Sequence, residues 1–161
     1  MKKMKILIGS DHHGTEIRRS LTQIVNGMGL KADEIGPPDG ETVANYPDVA
    51  SQVARAVSEG QVDRGVLICG TGIGMSIVAN KFPNVRAAPV VDAFTAELSR
   101  MHNNLNVLCL SADMLAKPLI RNVVQTWLRT DFSDKPRYDR QLERIAQIER
   151  DQIRKNKAAG S

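Results

Sequence analysis

Short apolar runs alternate along the chain with longer stretches that are apolar on one side only. Residues 5–9 (KILIG) form a run of strand length, and residues 16–28 carry Ile17, Leu21, Ile24 and Val25 at helical spacing. Lys31–Ile35 reads as a second strand, closed by Gly36-Pro37-Pro38. Tyr46–Ser58 is predicted helical after Asn45, with Val49, Val53, Ala54 and Val57 on one face. Arg64–Cys69 is a third strand, wholly apolar in its centre, and residues 70–79 form a glycine-rich turn running into a helix. A fourth strand is predicted over 86–91, a helix over 93–101 and a fifth strand over 106–110. A longer helix follows over 112–128, tolerating Pro118 near its first turn. A strongly charged helix is expected over 137–155.

Strands that are continuously apolar and alternate with helices imply an α/β fold. Its five-stranded parallel sheet is doubly wound, with helices on both faces. Such sheets bind ligands at the carboxyl ends of their strands. The length of 161 residues fits one domain, expected over 1–155 with a frayed tail over 156–161. The last helix follows the break Ser133-Asp134-Lys135-Pro136 and has only Leu142, Ile145, Ile148 and Ile153 as an apolar stripe. It is expected to pack on a partner subunit.

Composition narrows the function classes. The chain is 42% hydrophobic and 25% charged, which suits a globular protein. Its formal charge of +4 is concentrated late, in Arg137, Arg140, Arg144, Arg150, Arg154, Lys155 and Lys157. A mild basic excess suits an anionic small molecule. With aromatics at 4% there is no stacking platform for single strands, so no nucleic-acid partner is expected. The lysines ahead of residues 4–8 imitate a secretion signal, but the apolar run is too short and meets Asp11, His12 and His13 at once. No stretch has the length to span a membrane. Cys69 and Cys109 show no disulfide spacing. A reducing cytoplasm is therefore the expected location.

The sharpest chemical feature is Cys69-Gly70-Thr71-Gly72-Ile73-Gly74-Met75-Ser76, at the end of the third strand. Glycines let backbone N–H groups approach an anion, and a following helix adds a favourable dipole. Cysteines beside helix N-termini ionise more readily than free cysteine. The plainer reading is a small buried residue ending a strand. For Cys109, inside NVLCL with no glycine turn, that plainer reading is the better one. The glycine spacing matches neither the dinucleotide fingerprint nor the long phosphate loop.

A second feature is Gly9-Ser10-Asp11-His12-His13-Gly14, on the same rim of a parallel sheet. Asp11 is placed to hold a substrate hydroxyl and His12 a phosphate, or Asp11 and Ser10 simply cap a helix. His13 reads as a solvated residue of the first helical turn. A third is Arg100-Met101-His102-Asn103-Asn104. His102 suits general acid–base work and Asn103 an oxyanion, or the two merely close the helix. Three histidines without ligand spacing make no metal site.

The segments GSDHHG, NYPD, GVLICGTGIGMSIVANK, RAAPVVD and SRMHNNLNVLCL resemble the ribose-5-phosphate isomerase B family, with its galactose-6-phosphate isomerase relatives, over most of residues 4–150. The resemblance implies a Rossmann-like fold. It also implies a homodimer or tetramer with shared active sites, and aldose–ketose isomerisation of a sugar phosphate without metal or organic cofactor. It implies Cys69 as the base that moves a proton between C2 and C1. Thr71 and the N–H groups of Gly70, Gly72, Ile73 and Gly74 would form the oxyanion site. Asp11, His12 and Arg137 would bind substrate, His102 would open the sugar ring and Asn103 would donate to the oxyanion. Fixed donors around an enediolate contribute roughly 3–4 kcal/mol each.

The chain departs from the family's phosphate-binding pattern. Asp113 stands where arginine is expected, Tyr138 replaces a histidine, Gln141 replaces an arginine, and Asn45 and Thr15 differ as well. An acid in place of a phosphate-binding cation costs roughly 1–4 kcal/mol for a partly exposed pair at ~4 Å. The resemblance makes ribose 5-phosphate the family's default substrate. These departures lead instead to an expectation of weak use of it and better use of a different tetrose to hexose phosphate, a shorter one among them. Two other readings stay open: a catalytically weakened binding or assembly subunit, and a nucleotide-binding protein.

Overall fold

The computed structural model describes residues 3–40 and 42–159. Five strands form one all-parallel sheet: β1 (Lys5–Ser10), β2 (Lys31–Ile35), β3 (Arg64–Cys69), β4 (Ala87–Pro89) and β5 (Val107–Ser111). Their order across the sheet is β2-β1-β3-β5-β4. Six helices connect them or follow: α1 (Thr15–Gly27), α2 (Tyr46–Ser58), α3 (Ile73–Ala79), α4 (Ala93–Asn103), α5 (Lys117–Arg129) and α6 (Pro136–Ala159).

Alternation along the central strands divides the core. Ile6, Ile8, Val66, Ile68, Leu108 and Leu110 point to one face, under α1 and α5. Leu67, Cys69, Val107 and Cys109 point to the other, under α2 and α3. Helix α2 approaches closely because Gly9 and Gly65 have no side chains there. A Cβ built on them would stand 2.8 and 2.7 Å from Val53 methyl carbons.

Three expected elements have the observed bounds, Lys31–Ile35, Tyr46–Ser58 and Arg64–Cys69. The long helix expected from residue 112 begins instead at Lys117. The N–H groups of Ala112 and Asp113 donate to the carbonyls of Cys69 and Gly70, so they serve the neighbouring strand end. The fourth strand shrinks to three edge residues, and the Arg86 N–H goes to the Asn106 side chain at 2.7 Å. Helix α6 continues past residue 155 to Ala159, and the tail residues Gly160 and Ser161 lie outside the described residues. Only Tyr138 of α6 is buried.

Chain reversals in strand order fix where a ligand can sit. From β1 the chain steps to β2 on one side, and β3 lies on the other. The loops after β1 and β3 therefore part at their carboxyl ends and leave a crevice.

Candidate active site

The crevice holds an open cleft of about 450 Å³ lined by Asp11, His13, Tyr46, Cys69, Gly70, Thr71, Ile73, Gly74, Ile77 and Asp113. Cys69 is the last residue of β3, paired with Ser111, and its side chain faces the α2–α3 layer. Gly72 then turns the chain at φ 77°, a left-handed conformation that favours glycine. The turn brings the Gly72 N–H to 3.1 Å from Cys69 Sγ. It also leaves no room for a side chain, since a Cβ on Gly72 would stand 3.1 Å from the Leu110 backbone. The Ile73 N–H donates to Thr71 Oγ1 at 3.3 Å. Two of the loop's amides are thus turned onto the loop's own sulfur and hydroxyl.

The loops of the rim are stitched together. Ser111 Oγ donates to the Gly70 carbonyl at 2.6 Å, and the Met114 N–H donates to Ser111 Oγ at 3.0 Å. These bonds carry Asp113 over Gly70, where a Cβ would stand 2.7 Å from Asp113 Oδ2. Asp113 Oδ1 accepts from His13 Nδ1 at 3.0 Å. That bond raises the His13 pKa above its ordinary value, and the negative charges of Asp113 and Asp11 add to it. Gly74 has no side chain because the Tyr46 ring lies over it, 2.6 Å from where a Cβ would be.

Asp11 does two things. Its carboxylate accepts the His13 N–H at 3.0 Å, capping the short turn that precedes α1. It also lines the cleft, 6% exposed, and burial holds its pKa above the usual carboxylate value. His12 is half-buried beside His13, ring centroids 4.6 Å apart, and is not among the residues that line the cleft.

The remaining candidates lie elsewhere. His102 and Asn103 end α4, just before β5 begins at Val107, and Val107 pairs with Gly65 at the start of β3. Cys69 is four residues further along that ladder, so the two groups stand at opposite rims, roughly 13 Å apart along the strands. His102 stacks on Tyr138 at 4.5 Å. The Arg137 guanidinium lies over the same ring at 4.5 Å and bonds the Tyr138 hydroxyl. Asn103 gives its carbonyl to Arg86 Nε at 3.1 Å.

One chain therefore places Asp11, Cys69, Gly70, Thr71, Ile73 and Gly74 in a cleft. It places His102, Asn103 and Arg137 in a second cluster that does not reach it. Reading the sequence missed His13, Tyr46 and Ile77 as cleft residues. Tyr46 lies in the quoted NYPD segment, but nothing in the sequence showed that its ring would cover Gly74. Among the described residues no group of three or more His, Cys, Asp or Glu side chains is placed to hold a metal ion. No helix among them is long and apolar enough to cross a membrane.

Residues 6–148 match the family described as Ribose/Galactose Isomerase. The chain is 38% identical over 145 residues to ribose-5-phosphate isomerase B of Escherichia coli, covering 90% of this chain and 96% of that one. It is 37% identical over 130 residues to D-erythrulose-4-phosphate isomerase of Pectobacterium atrosepticum, covering 80% and 85%. The structure of the type B ribose 5-phosphate isomerase of Trypanosoma brucei superposes with a TM-score of 0.87 at 40% identity, covering 91% of this chain and 99% of that one.

Proposed function

Because the chain belongs to the ribose/galactose isomerase family, we propose that it interconverts an aldose and a ketose phosphate through an enediolate, with Cys69 as the base. The observation that carries this is Cys69 Sγ at the end of β3, receiving the Gly72 N–H, in a cleft that Asp11, Thr71 and Gly74 also line. A proton next to a carbonyl becomes acidic once that carbonyl is polarised. Donors fixed around the two oxygens hold the charge that develops. One base serving both carbons carries the proton across one face.

The site is completed by a second copy of the chain. His102, Asn103 and Arg137 sit at the wrong rim to serve the Cys69 of their own protomer, and they suit the cleft of a partner. Ile73 and Ile77, 55% and 57% exposed at the cleft, offer apolar surface for that contact. In this arrangement Asn103 donates to the enediolate, Arg137 holds phosphate and His102 opens cyclic substrates, while His12, which does not line the cleft, is given no part in phosphate binding. The assembly is a homodimer or a pair of dimers, working in the cytoplasm.

A four-carbon sugar phosphate is the substrate we favour over ribose 5-phosphate. Asp113 presents an acid at the cleft and Gln141 is neutral, so two cations that the family's phosphate-binding pattern expects are absent. A relative of this chain is named D-erythrulose-4-phosphate isomerase. The test is a coupled isomerase panel of tetrose, pentose and hexose phosphates, with the unphosphorylated sugars beside them. The highest kcat/KM is expected on a tetrose phosphate. Turnover of none of them would refute the function, and a clear preference for ribose 5-phosphate would refute the substrate assignment.

A further inference from the structure

His13 and Asp113 form a carboxylate–imidazole pair that reading the sequence passed over, and its surroundings are built. Asp113 is fixed by its own N–H to the Gly70 carbonyl at 3.2 Å and by the Ser111 hydroxyl that binds the same carbonyl. His13 is fixed by its N–H to Asp11 at 3.0 Å. Both side chains line the cleft that Cys69 lines, and His13 Nδ1 lies 3.8 Å from where a Cβ of Gly70 would stand. A carboxylate accepts, so the ring donates through Nδ1 and leaves Nε2 as an acceptor. Carboxylate partners of this kind fix the tautomer and ring orientation of a working histidine.

We propose that His13, oriented by Asp113, is a further catalytic residue of this site and carries the hydroxyl proton between O1 and O2 of the substrate. The proposal rests on the isomerase reading above. In the aldose-to-ketose direction the Cys69 thiolate takes the C2 proton and returns it to C1. The O2 hydroxyl proton must meanwhile reach O1. Nε2 of His13 accepts it as the C2–O2 double bond forms and gives it to O1. The imidazole ends as it began, so the step needs no other reactant. Asp113 is a positioning residue, since it acts only through the ring.

The titratable groups facing His13 are Asp11 and His12 from the end of β1, Cys69 from β3, Tyr46 from the start of α2 and Asp113 after β5. Of these, Asp113 and Asp11 favour its protonated form. Removing the Asp113 charge should therefore lower the pH at which the ring titrates.

The experiment uses the full-length enzyme in deuterated water with D-erythrulose 4-phosphate and D-ribulose 5-phosphate. It measures aldose formation and solvent exchange at C1 of the ketose separately. For His13→Gln, isomerisation should fall at least tenfold while exchange and KM stay within about threefold of wild type. Asp113→Asn should lose part of kcat and move the His13 NMR titration to lower pH, and Asp113→Glu should restore most of both. Parallel loss of exchange and isomerisation in His13→Gln, unchanged turnover, or a rise in KM alone would overturn the proposal. So would a His13 titration that ignores Asp113→Asn. Cys69→Ala separates the two claims: exchange that survives it refutes the cysteine base, whatever His13 does.

Discussion

Cys69 and Cys109 face the same side of the sheet and lie in neighbouring strands, yet their surroundings set them apart. Cys69 ends its strand at the cleft with an N–H on its sulfur. Cys109 is fully buried, and that burial pushes its thiol well up, with Cys69 nearby adding to it. Cys69→Ala should abolish isomerisation, with circular dichroism and assembly unchanged. Cys109→Ala should keep kcat/KM within a few fold. Iodoacetate should inactivate the wild type more slowly when substrate is present. The difference in their settings was legible in the sequence, because only Cys69 is followed by a glycine turn. The His13–Asp113 bond was not, because its partners are 100 residues apart and meet only through the stitching of three strand ends. The pairing also changes the meaning of Asp113. An acid in place of a cation reads as plain repulsion of phosphate, whereas the structure gives that acid a partner.

At the scale of elements, the sheet and α2 are held at a distance only glycine permits. A methyl group on Gly9 would stand 2.8 Å from Val53 and 2.9 Å from Val49. Gly9→Ala should destabilise by roughly 1–3 kcal/mol, the usual cost of overpacking a core, and should lower the thermal midpoint. Gly74→Ala should instead displace the exposed Tyr46 ring, raising KM with little change in melting. The strand and helix order was legible because β1, β3 and β5 are apolar on both faces and each helix between them has one apolar face. The start of α5 was not. Residues 112–116 have helical composition, but the N–H groups of Ala112 and Asp113 are taken by the carbonyls of Cys69 and Gly70 at the end of β3. Helix α6 was recognisable by its charge and by its thin stripe, of which Ile145 and Ile148 are exposed in the single chain while Leu142 and Ile153 are half-buried.

At the scale of the molecule, the two clusters of candidate residues sit at opposite rims of one sheet, so the account stands on a second copy bringing them together. Truncation before Pro136 removes α6 together with Arg137 and Tyr138, and should leave an inactive monomer in sedimentation. A fully active truncated monomer would show that the single cleft suffices. The most direct measurement mixes two inactive variants. Cys69→Ala removes the base, and Asn103→Asp sets an acid against the enediolate. Each alone should fall at least a hundredfold on the best substrate of the panel. In a two-fold dimer with shared sites, random mixing makes half the dimers mixed, each with one intact site. Co-expression should then recover about a quarter of wild-type activity. No recovery, from a sample shown by mass spectrometry to contain mixed dimers, would contradict the shared site built around Cys69.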